Sequence, residues 1–284
     1  MSTPTTSRAR AWIRRLLVSL ALTYALICAA LYLAQDSLIF HPTARADVIA
    51  ALRRGEGARA VTLARGDATL EGVLLPARAP VTSATVLYFG GNAESVGDAA
   101  ARLSWVQERG ANLVVVPYRG YDGSTGSPSA EALRGDALAV YDHVAALPEV
   151  DPTRIFALGF SLGTGVATYL AHERALAGVI LGAPFWRLTD IGQDAYPWAP
   201  VRPLMRHEFD SGALAPELQT PALIVHGAED TLIPTRHGQR LRDAWGGPAR
   251  FVEVPGAGHN DVMRQAAARA AIERFLFAEP ARER

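Results

Sequence analysis

The stretch Ile155-Phe156-Ala157-Leu158-Gly159-Phe160-Ser161-Leu162-Gly163-Thr164 decides how this chain is read. Its first four residues form an apolar run of strand character, and 162–173 carries a helical pattern. Between them lies G-x-S-x-G. A strand that turns sharply into a helix crowds the residues two positions either side of the apex. Gly159 and Gly163 therefore stand where side chains have no room. The apex Ser161 is expected to be strained and presented at the sheet edge, beside the positive end of a helix.

The alternation continues on both sides of this turn. Apolar runs at 84–89, 113–116, 155–158, 178–181, 222–225 and 250–254 are separated by helical patterns at 94–109, 129–146, 162–173, 235–245 and 261–277. Nearly continuous apolar strands with helices between them predict an α/β fold, a mostly parallel central sheet covered by helices on both faces. Upstream, 61–63 and 69–75 flank Arg65-Gly66-Asp67 as a hairpin, and 47–54 reads as a short helix. Ligands of such sheets bind at the carboxyl ends of the strands.

A serine hydroxyl is a weak nucleophile near neutral pH and needs a base that an acid orients. Two strand ends supply them. The run 222–225 leads into His226-Gly227-Ala228-Glu229-Asp230, and 250–254 leads into Pro255-Gly256-Ala257-Gly258-His259-Asn260-Asp261. Among seven histidines, His259 is the expected base. Asp230 is the expected acid; Glu229 competes, and the loop register favours Asp230. His143 and His172 fall in helical patterns, His226 reads as a turn cap, and His41, His207 and His237 have no partner pattern. An oxyanion needs two backbone amides. Leu162 supplies one, and Gly90-Gly91-Asn92-Ala93-Glu94 after run 84–89 supplies the other, with Asn92 expected first and Gly91 next.

Residues 184–217 interrupt the alternation, with four prolines before Pro216 and the aromatics Phe185, Trp186, Tyr196, Trp198 and Phe209. An insertion at the strand ends is where a lid would lie. Phe185, Trp186, Tyr196 and Trp198 are candidate substrate contacts, along with Gly91; the bland alternative is that the aromatics only pack the lid onto the sheet.

Composition removes other chemistries. The 284 residues hold 28 basic and 28 acidic groups, and every basic residue is arginine. Without lysine there is no Walker A lysine and no Schiff base. The single Cys28 forms no internal disulfide or cysteine-based zinc site. Neither His172-Glu173 nor His207-Glu208 continues into H-E-x-x-H. No cofactor, no metal and no nucleic-acid partner are expected; the partners are a small acyl substrate and a lipid bilayer.

The bilayer is read from the amino terminus. Residues 1–15 contain Arg8, Arg10, Arg14 and Arg15 and no acid, and 16–34 is a run without charge. At about 1.5 Å per residue it spans roughly 28 Å, near the hydrocarbon thickness of a membrane. The arginines predict a cytoplasmic amino terminus, a transmembrane anchor at 16–34, and a body at 35–284 on the outer side, with a lid at about 184–217. A cleaved signal peptide is the weaker alternative. Beyond the anchor, 24 basic and 28 acidic groups make an ordinary domain on a tether.

Together, Gln35–Pro42, FGGNAE (89–94), YRGYDGSTGSPS (118–129), GFSLGTG (159–165), HGAEDTLIP (226–234) and GAGHND (256–261) resemble the α/β-hydrolase superfamily, most closely its membrane-anchored, ABHD-type, serine aminopeptidase-like branch. The order Ser161, Asp230, His259 is that family's nucleophile, acid and base. The resemblance implies catalytic roles for these three and hydrolysis of an ester, thioester or amide through an acyl-serine. Gly90 stands where many relatives have histidine, and Asp122 where they have glycine. Two alternatives remain. One is a peptidase of the same fold that binds a free α-amine through Glu94, Asp122, Asp190, Asp194 or Glu208; the other is a catalytically silent, membrane-tethered scaffold.

Overall fold

Between Thr5 and Ile39 there is no glycine or proline, and leucine and alanine are the commonest residues. Nothing therefore stops a single helix of 35 residues, α1 (Thr5–Ile39), until Pro42 approaches. The computed structural model describes residues 5–78 and 82–277; residues 1–4 of the expected amino-terminal segment and 278–284 of the expected body lie outside them. Within α1, Arg8–Ile39 is long and apolar enough to cross a membrane. The helix outruns the expected end at Ala34 by five residues, because Gln35-Asp36-Ser37 adds polarity but no breaker.

All eight expected strands form one sheet. They are β1 (Arg59–Arg65), β2 (Ala68–Leu75), β3 (Thr85–Phe89), β4 (Asn112–Val115), β5 (Ile155–Phe160), β6 (Gly178–Gly182), β7 (Ala222–Gly227) and β8 (Ala249–Val254). Their order is β1-β2-β4-β3-β5-β6-β7-β8. The β1–β2 hairpin is antiparallel and β2 runs antiparallel to β4, while β4 through β8 are parallel. This is the α/β-hydrolase arrangement expected.

The helices after α1 are α2 (Ala46–Arg53), α3 (Val96–Arg102), α4 (Ser104–Glu108), α5 (Ala130–Ala145), α6 (Leu162–Glu173), α7 (Leu188–Ala195), α8 (Val201–Leu204), α9 (Ser211–Leu214), α10 (Arg236–Ala244) and α11 (Ala266–Phe277). The expected helix at 94–109 is broken into α3 and α4. Leu103, Trp105 and Val106 are all buried against the sheet, and one straight helix cannot turn all three the same way.

Alternation along the strands builds two cores. On β3, Leu87 and Phe89 join the side covered by α5, α6 and α10, while Val86 and Tyr88 join the side covered by α3, α4 and α11. The lid connects β6 to β7 and carries α7, α8 and α9.

Candidate active site

The turn after β5 has the geometry its glycines require. A Cβ at Gly159 would lie 2.3 Å from the Gly163 carbonyl oxygen, and one at Gly163 would lie 2.0 Å from that of Phe89. Ser161 sits at φ 50°, ψ −116°, a region that costs a non-glycine residue of order 1–3 kcal/mol. Its amide donates to Gly182 O at 2.9 Å, which pins the apex to β6.

β8 lies three strands from β5, roughly 14 Å away at sheet spacing, so the loop after β8 must fold back to reach the serine. Asp261 shapes that loop: its carboxylate accepts from Gly258 N at 2.7 Å and from Gln265 Nε2 at 2.9 Å. His259 then lies 2.9 Å from Ser161 Oγ through Nε2 and 2.8 Å from Asp230 Oδ2 through Nδ1. Ser161, Asp230 and His259 are all buried. The competing Glu229 points to solvent.

Asp230 is held from several sides. Its Oδ1 accepts from Leu232 N at 3.0 Å and Ile233 N at 2.8 Å. His226, fully buried, donates from Nε2 to Ile233 O at 2.7 Å, with Asp230 Oδ2 at 3.4 Å. Burial alone would raise the Asp230 carboxyl, but His226, His259 and the Ile233 amide outweigh it and hold the group well below the usual carboxylate range. An ionised Asp230 fixes the proton of His259 on Nδ1 and leaves Nε2 to accept from the serine.

The two expected oxyanion amides differ in availability from Gly91. The Gly91 amide donates to Glu94 Oε2 at 3.1 Å, and that carboxylate also accepts from Tyr88 and pairs with Arg102. Gly91 is therefore committed and does not line the cavity. The Asn92 carbonyl accepts from Tyr121 Oη at 2.8 Å and His41 N at 3.0 Å, and its side chain donates to Ile39 O at 3.3 Å. Its amide has no partner among the described residues, and neither has that of Leu162, the first residue of α6. Both residues border the cavity with Ser161.

That cavity, about 330 Å³, has no charged residue in its lining among the described residues. Phe185 and Tyr196 face it as expected. Trp186 and Trp198 do not. Trp186 is buried under Arg240, whose guanidinium lies 3.9 Å from the ring centroid, and against Gly212 of α9. Trp198 is half-exposed and edges onto Tyr24 of α1, centroids 6.3 Å apart. For Trp186 the packing alternative holds.

Residues 194–281 match the family described as TAP-like protein. An uncharacterised protein of Mycobacterium tuberculosis is 33% identical over 227 residues, 80% of this chain and 81% of that one. The α/β-hydrolase domain-containing protein aho-3 of Caenorhabditis elegans is 29% identical, over 70% of this chain and 59% of its own. The chain belongs to the α/β-hydrolase superfamily. Acetyl xylan esterase 1 of a Thermoanaerobacterium species shares the hydrolase fold, with a TM-score of 0.60 at 16% identity over 84% of this chain and 95% of that one.

In this hydrolase the acids considered for binding an amine are paired elsewhere or turned to solvent. Asp122, buried at φ 41°, accepts from Arg45 N at 2.9 Å and Val96 N at 2.8 Å. Aspartate thus adopts the conformation that glycine would and adds two bonds. Asp190 pairs with Arg202, Asp194 pairs with Arg236, and Glu208 is exposed. None lines the cavity.

The expectation of a domain on a simple tether fails. Leu31, Tyr32, Gln35, Leu38 and Ile39 of α1 line the cavity. Gln35 accepts from Arg206 N at 2.7 Å and donates to Leu204 O at 2.8 Å, and Asp36 Oδ1 lies 2.6 Å from His207 Nε2. The clue in the sequence was the helical spacing of 31, 35, 38 and 39, which gives one face to the body.

Proposed function

We propose that this protein is a membrane-anchored serine hydrolase that cleaves carboxylic esters through an acyl-serine intermediate. The observation that carries the reading is the hydrogen-bonded chain from Ser161 Oγ to His259 to Asp230 at the floor of an apolar cavity. His259 Nε2 takes the hydroxyl proton as Ser161 attacks the acyl carbon. The imidazolium then protonates the departing alcohol, and Asp230 stabilises its charge. The Leu162 and Asn92 amides receive the oxyanion. Water, deprotonated by His259, releases the acid and restores the serine. Esterases of the same fold support the ester preference. The peptidase alternative has no acid among the described residues lining the cavity to hold an ammonium group. The scaffold alternative would not preserve such a chain of bonds.

Residues 16–34 of α1 cross the bilayer in this reading, with the arginine-rich end in the cytoplasm and the body outside. Fluorophosphonate labelling tests the chemistry. The full-length wild type is expected to be labelled, and Ser161→Ala to lose both label and about 10⁴–10⁶ of kcat on a p-nitrophenyl acyl ester. Labelling that survives S161A would reject the assignment.

A further inference from the structure

The wall of the cavity opposite Ser161 belongs partly to α1, and the contact continues far up the helix. The Tyr24 hydroxyl donates to Trp198 O at 3.0 Å, so the lid tip sits level with Tyr24. That tip, Ala195-Tyr-Pro-Trp-Ala-Pro-Val201, carries no charge. Pro197 is exposed at its end, and so is Trp198, at 50%.

The depth of the tip follows from the charges on α1. Arg14 and Arg15 are the last before Asp36. With Arg15 at one hydrocarbon boundary, Tyr24 lies nine residues on, about 13 Å into a layer about 30 Å thick. Sliding the helix until Trp198 cleared the hydrocarbon would pull both arginines into it, which is strongly disfavoured. The lid tip is therefore inside the hydrocarbon, close to its midplane, and the cavity wall at Leu31, sixteen residues from Arg15 and about 24 Å in, lies in the outer leaflet.

We propose that the lid tip reaches the middle of the bilayer beside α1, and that the site takes its substrate sideways from the outer leaflet: a neutral, long-chain acyl glycerol. This rests on the hydrolase reading above and on α1 crossing the bilayer. The apolar, uncharged lining suits an acyl chain and offers no cation to a phosphate. The chain enters between α1 and the lid and brings its ester to Ser161. The acyl group passes to Ser161 Oγ, the glycerol oxygen leaves with the proton from His259, and water releases the fatty acid.

The test uses the full-length protein in phosphatidylcholine vesicles. In a Trp12→Phe background, Trp105, Trp186 and Trp245 are buried in the body, which isolates Trp198. Bromines placed midway along the lipid acyl chains are expected to quench W12F fluorescence and to lose most of that effect in W12F/W198F. In parallel, hydrolysis of dioleoylglycerol in the vesicles is compared with that of p-nitrophenyl butyrate in solution. Leu31→Trp, which fills the α1 wall, is expected to lower the long-to-short ratio about tenfold. Leu33→Trp, at a position 76% exposed and outside the cavity, is expected to leave it unchanged. Unquenched Trp198, or a ratio unmoved by L31W, overturns the inference while short-ester hydrolysis and Ser161 labelling stand. Loss of those two activities in the wild type overturns the hydrolase reading itself and this proposal with it.

Discussion

Replacing Gln35 with alanine is expected to release the lid from the anchor helix. Gln35 is 7% exposed and spends both ends of its amide on the lid backbone, Oε1 on Arg206 N and Nε2 on Leu204 O. Each such bond contributes about 0.5–1.5 kcal/mol net, so the pair holds the lid by about 1–3 kcal/mol. The neighbouring Arg206–Asp36 pair is exposed on both sides and adds little. Loss of the latch therefore raises the population of the undocked lid about 5- to 150-fold. Amide hydrogen exchange reads this directly at Arg206, whose amide is the donor, and Q35A is expected to speed it by that factor. Exchange in β5 and β6 serves as the control for global unfolding and is expected to be unchanged. Gln35→Glu keeps the acceptor for Arg206 N and loses the donor to Leu204, so it falls between. If Arg206 exchanges within about twofold of wild type in Q35A, the two bonds are not what docks the lid, and the latch argument is wrong.

Three further outcomes follow from the site. Asp230→Asn removes the charge that fixes the His259 proton on Nδ1, and steady-state kinetics is expected to show kcat down about 10⁴ with the fold intact by circular dichroism. Gly163→Ala forces a methyl onto the Phe89 carbonyl and is expected to cost more than about 3 kcal/mol, lowering Tm by at least roughly 6 °C in a thermal melt or preventing folding. The His237 imidazole is pushed below its ordinary range by burial and then by Arg236. The unfolded chain therefore binds its proton first as pH falls, and stability is lost below about pH 6.5. His237→Asn keeps an acceptor for the Trp186 amide without a titrating ring, so its Tm is expected to fall less between pH 6.5 and 5 than that of wild type.

What the sequence disclosed was chemistry with strict local demands. Gly159 and Gly163 announce themselves because nothing larger fits, and Ser161, Asp230 and His259 each lie in the turn or loop that follows a recognisable strand. The lid was legible only as an interruption. Its aromatics look alike in sequence, yet Tyr196 faces the cavity while Trp186 lies beneath Arg240. Which way an aromatic turns depends on partners far along the chain, here Gly212 and α10, and no local pattern encodes that. The break at Leu103 was hidden for the same reason, since it reflects which residues meet the sheet.

The face that α1 turns to the body was not legible because hydropathy does not distinguish lipid from protein as the partner of an apolar side chain. Leu31 and Leu33 look equivalent in a hydropathy profile, yet one lines the cavity and the other is 76% exposed. The consequence reaches the oxyanion loop. Just past the apolar run, Ile39 O accepts from the Asn92 side chain and His41 N donates to the Asn92 carbonyl. Those two bonds hold Asn92, whose amide is proposed to receive the oxyanion, through its side chain and through the peptide that follows it. Tyr121 Oη, raised to about 12 by burial despite the bond from His41 N, stays protonated and donates to the same carbonyl. Helix α1 thus ends in contact with that loop, and its last two turns line the cavity beside Ser161. A boundary drawn at Ala34 cuts across these contacts, because the lid, the cavity and the Asn92 loop all take part of their support from residues 31–41.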